Sequence, residues 1–347
     1  MLRALVPIYT RNMDLVESQF LYREFNLQLT EINETNLETI NQERIVLFAT
    51  TNPFELKEII ERRNASSVII FLLGNETYDV PTFEYLNKYN EKLCHVFIYN
   101  YPKKTSYLVT IKCFLGTLYD GGLFFKDGGG NIFRHFKNGF DFMRRNRKIK
   151  INYSHSEFPL GYTKVFTREL EKLIYNLDEG SLVNGKILTD SINNRSQSMT
   201  FIGAEGSWSR RLAVRKMKTL IPNSKFKSVD NIYNAEKNLL QTEYTESLKN
   251  SRFALCPPGN ITNKTFRYLE SILMGSLPIL PPSTIQDNHH WSTWPEYTKP
   301  IYYSWTKNII RAIEMNEAER LKLLSLALNN EKKIIFEVTK KLNEILA

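Results

Sequence analysis

The strongest constraint on the fold is the alternation of short apolar runs with segments of helical period. "ALVPIY" (residues 4–9), "RIVLFAT" (44–50), "SVIIFLLG" (67–74) and "HVFIYN" (95–100) are short, rich in β-branched or aromatic residues, and bounded by polar or turn residues. Such runs predict buried strands. Between the second and third lies "NPFELKEIIERRN", with Pro at an early position, apolar residues spaced by three or four, and basic residues at its end, the pattern of a helix. Strand, helix, strand in this order predicts a parallel sheet with crossovers. A glycine-rich break, "YDGGLFFKDGGG", follows, and "KIKINYSHSEFPLGY" predicts one further strand ending in a polar loop.

The second half repeats the logic. "SMTFIGA" predicts a strand, "WSRRLAVRKMKTL" a helix, "YTESLKNS" a helix end, "RFALCPP" a strand, "NKTFRYLESILMG" a helix, and "SLPILPP" and "KPIYYSW" two last strands. The final "NEAERLKLLSLALNNEKKIIFEVTKKLNEILA" reads as one helix, or as two with the break at Asn329-Asn330. A chain of 347 residues exceeds one hydrophobic core. Two consecutive α/β units therefore predict two Rossmann-like domains with parallel sheets facing across a cleft: residues 1–178, residues 179–315, and a helical segment over 316–347.

Residues 126–227 carry twenty Lys and Arg against nine Asp and Glu, whereas residues 1–60 carry five against nine. A polyanion, an anionic lipid surface or a phosphorylated small molecule suits such a central belt, and a solvated helical face is the plainer account of "RHFKNGFDFMRRNRKIK". Zinc-finger spacing, an aromatic RNA-binding signature and a low-complexity basic tail are absent from the sequence. No apolar run approaches the roughly 20 residues of a membrane span, and "MLRALVPIYT" turns polar too soon for a signal peptide. Cys94, Cys113 and Cys256 are odd in number and show no metal-ligand spacing. The expectation is a soluble cytoplasmic chain with its thiols as buried fillers and peripheral membrane contact at most.

Chemistry concentrates in "SRFALCPPGNITNKTFRYLESILMGSLPIL", residues 251–280. Pro257 and Pro258 end the strand, because neither can donate to a ladder. Gly259 lets a ligand approach the backbone, and Asn260, Thr262 or Asn263 can cap the next helix, whose free N–H groups favour an anion. At about 100° per residue, Phe266, Leu269, Ile272 and Leu273 share a buried arc; Lys264, Arg267 and Ser271 lie opposite, with Glu270 between. This arrangement suits a nucleotide-sugar: Lys264 and Arg267 on the diphosphate, Glu270 on ribose hydroxyls. An Arg-Glu pair on an exposed helix is the bland alternative.

The same block resembles the C-terminal signature of exostosin-like glycosyltransferases, through Ser251, Phe253, Leu255, Pro257, Gly259, Arg267, Glu270, Gly275 and Pro278. "MTFIGAEGSWSRRLAVRKM" is similar to that family's Phe-x-Gly followed by a helical Arg, carried here by Phe201, Gly203 and Arg210 or Arg211. The resemblance covers residues 198–282. It implies a GT-B fold, with the donor nucleotide held by the C-terminal domain, the glycan or oligosaccharide acceptor mainly by the N-terminal one, and inversion without a bound metal or other cofactor. Donor contacts would fall to Gly203, Arg210, Arg211, Pro258, Gly259, Asn260, Lys264, Arg267 and Glu270. Fucosyltransferases using GDP-fucose have a similar loop and helix, and "TNKTF" partly echoes their Glu-Lys.

Inverting transfer needs a base for the acceptor hydroxyl and positive charge for the departing diphosphate. Arg210 or Arg211 with Arg267 suit the second task. For the first, the candidates are Asp127 beside three glycines, His135, and the pair His155 and Glu157, which alternate along a strand and so share a face. Each is equally readable as a solvated turn or strand end. His289-His290 carries only a weak metal signal.

Overall fold

The computed structural model describes residues 5–73, 80–99, 111, 115–116, 118–120, 144, 148–159, 161–173, 180–183, 195–205, 208–229, 237–257, 265–280 and 304–347. Its first sheet contains β1 (Val6–Thr10), β2 (Leu27–Glu31), β3 (Val46–Thr50), β4 (Val68–Leu72), β5 (Leu93–Tyr99) and β6 (His155–Phe158) in the order β2-β1-β3-β4-β5-β6. The second contains β7 (Gln197–Gly203), β8 (Ser224–Ser228), β9 (Ser251–Leu255) and β10 (Leu277–Ile279) in the order β10-β9-β7-β8. Every pairing in both is parallel. The expected mixed α/β architecture with two parallel sheets is therefore present.

Side chains of the first sheet alternate between two cores, as the two-residue period of a strand requires. Val46, Phe48, Val68, Ile70, Val96 and Ile98 join a cluster with Ile40 of α2 (Glu34–Gln42), Ile59 and Ile60 of α3 (Lys57–Arg62), and Phe83 and Leu86 of α4 (Val80–Lys88). Leu47, Ala49, Ile69, Phe71 and Phe97 point the other way. They join Phe20 and Phe25 of α1 (Ser18–Phe25) and Phe166 and Leu170 of α5 (Lys164–Leu173).

That second cluster does not stop at the first sheet. It continues into Phe201 and Phe253 of the second sheet and into α6 (Trp208–Leu220), α7 (Lys237–Asn250), α8 (Arg267–Leu273), α9 (Trp305–Glu314) and α10 (Glu317–Leu346). One apolar core thus spans both sheets. The α10 helix reinforces it, touching α8 and β10 of the second sheet and α1 of the first. Arg320 near its start is fully buried and donates to the carbonyl of Gly275 at 2.9 Å, while Lys341 near its end acts electrostatically on His95 of β5.

Polar fasteners cross the same boundary. Glu24 on α1 accepts from the Tyr162 hydroxyl at 2.8 Å, from the Leu182 amide at 2.9 Å and from the Ser181 hydroxyl. Asp120 closes the first turn of α9 by accepting from the Ser304 hydroxyl at 2.6 Å and the Thr306 amide at 3.0 Å. Gly161 packs so closely on α1 that a Cβ there would lie 2.1 Å from the Phe20 ring.

Several element boundaries differ from the sequence expectation. Among the described residues of "KIKINYSHSEFPLGY", strand structure is confined to His155–Phe158. The helix expected from Asn263 begins at Arg267. Trp305, expected to end a strand, is the first residue of α9, because Ser304 caps the turn by accepting from the Lys307 amide at 3.3 Å. No break occurs at Asn329-Asn330: a buried stripe including Leu323, Ala327, Leu328, Ile334, Ile335, Val338 and Leu342 runs through it, outweighing the few tenths of a kcal/mol that each Asn costs a helix. The boundary expected after residue 178 lies outside the described residues.

His95 sits between the Ser154 and Ser156 hydroxyls, 2.8 Å from Nδ1 and 2.9 Å from Nε2, so a neutral ring donates to one and accepts from the other. Burial, helped by the charges of Lys341 and His155, pushes its pKa down to about 4. The unfolded chain binds a proton at His95 below about pH 6.5 that the folded chain refuses until about pH 4, so stability falls as pH drops through that window. Urea unfolding at pH 7, 5.5 and 4 should show a loss on the order of 3 kcal/mol from this group. His95→Gln should flatten that decline.

Candidate functional site

The topology of the second sheet singles out the candidate site. From β7 the chain passes through α6 to β8 on one side, whereas β9 joins β7 on the other, so the strand order reverses between β7 and β9. Carboxyl ends of parallel strands at such a reversal are where open α/β sheets bind ligands. Here they are Ile202-Gly203 of β7 and Leu255, followed by Cys256 and Pro257.

Arg267 reaches into this place from the first residue of α8. Its Nη2 donates to the carbonyl of Ile202 at 2.8 Å. The guanidinium carbon lies 4.8 Å from the Phe201 ring centroid and 5.7 Å from that of Tyr244, so two aromatic faces hold the cation by their quadrupoles. Nε is buried without a hydrogen-bond partner. Gly203 is required by this approach, since a Cβ there would stand 2.7 Å from Nη2.

Glu270 lies one turn further along α8 and is buried rather than on an exposed surface. Oε1 accepts from the Thr163 amide at 3.1 Å and the Thr163 hydroxyl at 2.9 Å; Oε2 accepts from the Tyr244 hydroxyl at 2.8 Å. The carboxyl expected to meet ribose hydroxyls is thus already engaged by three protein donors. Burial raises its pKa, against the opposing effects of the Tyr244 and Thr163 hydrogen bonds and the Arg267 charge. Apart from Arg267 every residue of the helix is buried, so the Arg-Glu pair on an open face does not describe it, and Phe266, expected on the buried arc, precedes the helix and is half-buried.

Arg210 and Arg211 fold back on the loop after β7, donating to the carbonyls of Ala204 at 3.2 Å and Glu205 at 3.4 Å. Gly203, Arg210, Arg211, Arg267 and Glu270 therefore gather around the end of β7. Pro258, Gly259, Asn260, Lys264, Asp127, His135, His289 and His290 lie outside the described residues.

His155 and Glu157 share a face of β6, as expected, but among the described residues neither touches Arg267. In register they follow Val96 and Ile98, which belong to the core under α2, α3 and α4, on the opposite side of the sheet from the core shared with β7. His155 Nδ1 lies 3.0 Å from the Tyr153 carbonyl, to which it donates.

Cys256 also borders this site. Burial pushes its thiol up to about 12, which keeps it protonated at neutral pH and removes it as a nucleophile. Among the described residues no group of three His, Cys, Asp or Glu side chains could hold a metal ion, and no helix is long and apolar enough to cross a membrane. No protein-family model and no curated protein matches the chain.

Sequence reasoning missed Phe201 as a cation platform, and it missed Tyr244 and Thr163 altogether. Tyr244 shares a buried helical face with Leu248, and in sequence it reads as an ordinary core aromatic. Gly203→Ala tests the site. The guanidinium is the end of a long side chain and can swing away, so the variant should lose less than about 1 kcal/mol in denaturant unfolding. Its affinity for inorganic pyrophosphate, measured by calorimetry, should fall several-fold.

Proposed function

We propose that the chain is an inverting, metal-independent glycosyltransferase that moves a sugar from a nucleoside-diphosphate donor, UDP favoured, to a glycan or oligosaccharide acceptor. The observation that carries this reading is a contrast among arginines. Arg63 donates to the Ile40, Glu43 and Arg44 carbonyls and to the Ser67 hydroxyl. Arg195 donates to the Leu248, Ser251 and Met274 carbonyls, and Arg320 to Gly275, Arg252 and Glu317. These three are structural pins: Arg63 and Arg320 engage Nε and both Nη atoms with internal acceptors, and Arg195 engages both Nη atoms while its Nε has no partner. Among the described residues Arg267, at the strand reversal, makes one such bond, from Nη2 to Ile202. Its remaining planar donors suit a diphosphate.

In the proposed reaction a base removes the proton from an acceptor hydroxyl as that oxygen attacks the anomeric carbon. The bond to the diphosphate breaks on the opposite face, and Arg267, with Arg210 or Arg211 beside the β7 loop, stabilises the charge that develops on the leaving group. The exostosin-like resemblance supplies inversion and independence from metal; the geometry around Arg267 supports the anion site. Asp127, His155 and Glu157 stand as the candidates for the base, and the position of the latter two on the face of β6 turned away from the core shared with β7 puts Asp127 first.

A polyanion-binding role is less well supported by the described part of the basic belt. Lys225 and Lys227 both pair with Glu243, at 3.2 Å and 2.5 Å, and Lys218 lies over the Phe226 ring.

Calorimetric titration with UDP, GDP and CDP tests the donor site. The wild type should bind one of them, and Arg267→Ala should weaken that binding roughly ten- to a hundredfold, the loss expected for a charge-assisted contact. A wild type indifferent to all three would overturn the reading. Asp127→Asn, His155→Ala and Glu157→Gln, assayed for turnover of the donor identified in this way, should leave its affinity intact, and one of them should abolish transfer.

A further inference from the structure

Thr163, Glu270 and Tyr244 form a hydrogen-bonded bridge that starts in the first half of the chain, and the Tyr244 ring carries it on to Arg267 by a cation–ring contact. Thr163 immediately precedes α5, and its hydroxyl accepts from the Phe166 amide at 3.1 Å while donating to Glu270. The chain just before it is held against α1: Gly161 abuts Phe20, Tyr162 donates to Glu24, and the Lys164 amide donates to the Val16 carbonyl at 2.9 Å. Thr163 is therefore fixed by the first half of the molecule. Glu270 takes two donors from it on one oxygen, which leaves the other oriented toward the Tyr244 hydroxyl. Tyr244, held at both hydroxyl and helix, presents its ring to the Arg267 guanidinium.

From this geometry we infer that Thr163, Glu270 and Tyr244 are positioning residues for the anion site, so that diphosphate binding at Arg267 is coupled to the contact between Thr163 and α8. The inference rests on the donor-site reading of Arg267 and adds to it a regulation of that site. It assigns Glu270 to orienting the cation rather than to touching the nucleotide. Coupling of this kind is reciprocal: if the bridge favours the binding-competent guanidinium, a bound anion must strengthen the bridge by the same factor.

Two measurements on the full chain separate positioning from plain structural support. Tyr244→Phe keeps the ring under the guanidinium and removes only the hydroxyl, and should weaken inorganic pyrophosphate binding roughly three- to tenfold, the value of one hydrogen bond. Saturating pyrophosphate should slow hydrogen exchange at the Thr163 amide in the wild type and leave it unchanged in Tyr244→Phe. Thr163→Val should behave like Tyr244→Phe, and Thr163→Ser, which retains the hydroxyl, like the wild type. If Tyr244→Phe folds and binds pyrophosphate as tightly as the wild type, or if bound pyrophosphate leaves the wild-type Thr163 amide unprotected, the coupling is wrong and the anion site survives. Should Tyr244→Phe fail to fold, the wild-type exchange measurement and the Thr163 pair decide alone. A wild type that binds neither pyrophosphate nor any nucleoside diphosphate removes both the site and the coupling.

Discussion

Parallel sheets with buried strands need apolar cover on both faces, and this requirement governs the molecule. The first sheet satisfies one face with α2, α3 and α4, which it supplies itself. The other face shares its cover with the second sheet, through α1, α5, α7, α8 and α10. Because the cover is shared, the space between the sheets near the helices is a packed core. The closeness of Thr163 to Glu270 follows from that arrangement.

Buried charge at this boundary is handled in two different ways. Glu24 and Asp120 are carboxyls whose oxygens are engaged by hydroxyls and backbone amides of a distant segment. Each would be costly to leave without those donors. Glu270 follows the same rule with one addition, the nearby positive charge of Arg267. The burial that raises the Glu270 pKa also lowers the effective dielectric around the guanidinium, where an arriving anion would be felt more strongly than at an open surface.

Legibility in the sequence followed burial. Continuous apolar runs such as "VLFAT" and "VIIFL" announced β3 and β4, whose residues are all buried, and the helix read from "WSRRLAVRKMKTL" begins and ends at the residues expected. The edge strands β2 and β8, "LQLTE" and "SKFKS", escaped notice because each is short and partly exposed, with only two apolar residues in the first and one in the second. Arg267 and Glu270 were singled out by their places on a helix and Gly203 by the exostosin-like resemblance, and the structure brings Gly203 and Glu270 close to Arg267. The role of Glu270 was not legible: its partners Thr163 and Tyr244 stand 107 and 26 positions away, beyond the reach of any local pattern. Nor could spacing separate Arg267 from Arg195 or Arg320, because that distinction lies in how many acceptors surround each guanidinium.

The long helix α10 has a consequence for the order in which the molecule can be completed. The last strand of the first sheet ends at Phe158, and its α1 face is then built. Yet part of the cover for that side comes from the far end of α10, where Leu342 joins the shared core. A chain emerging from its amino end would therefore hold apolar surface on its first half open through nearly two hundred further residues of synthesis. During that interval the nascent first half is an exposed half-core, and its protection falls to whatever else the cell provides until the final turns arrive.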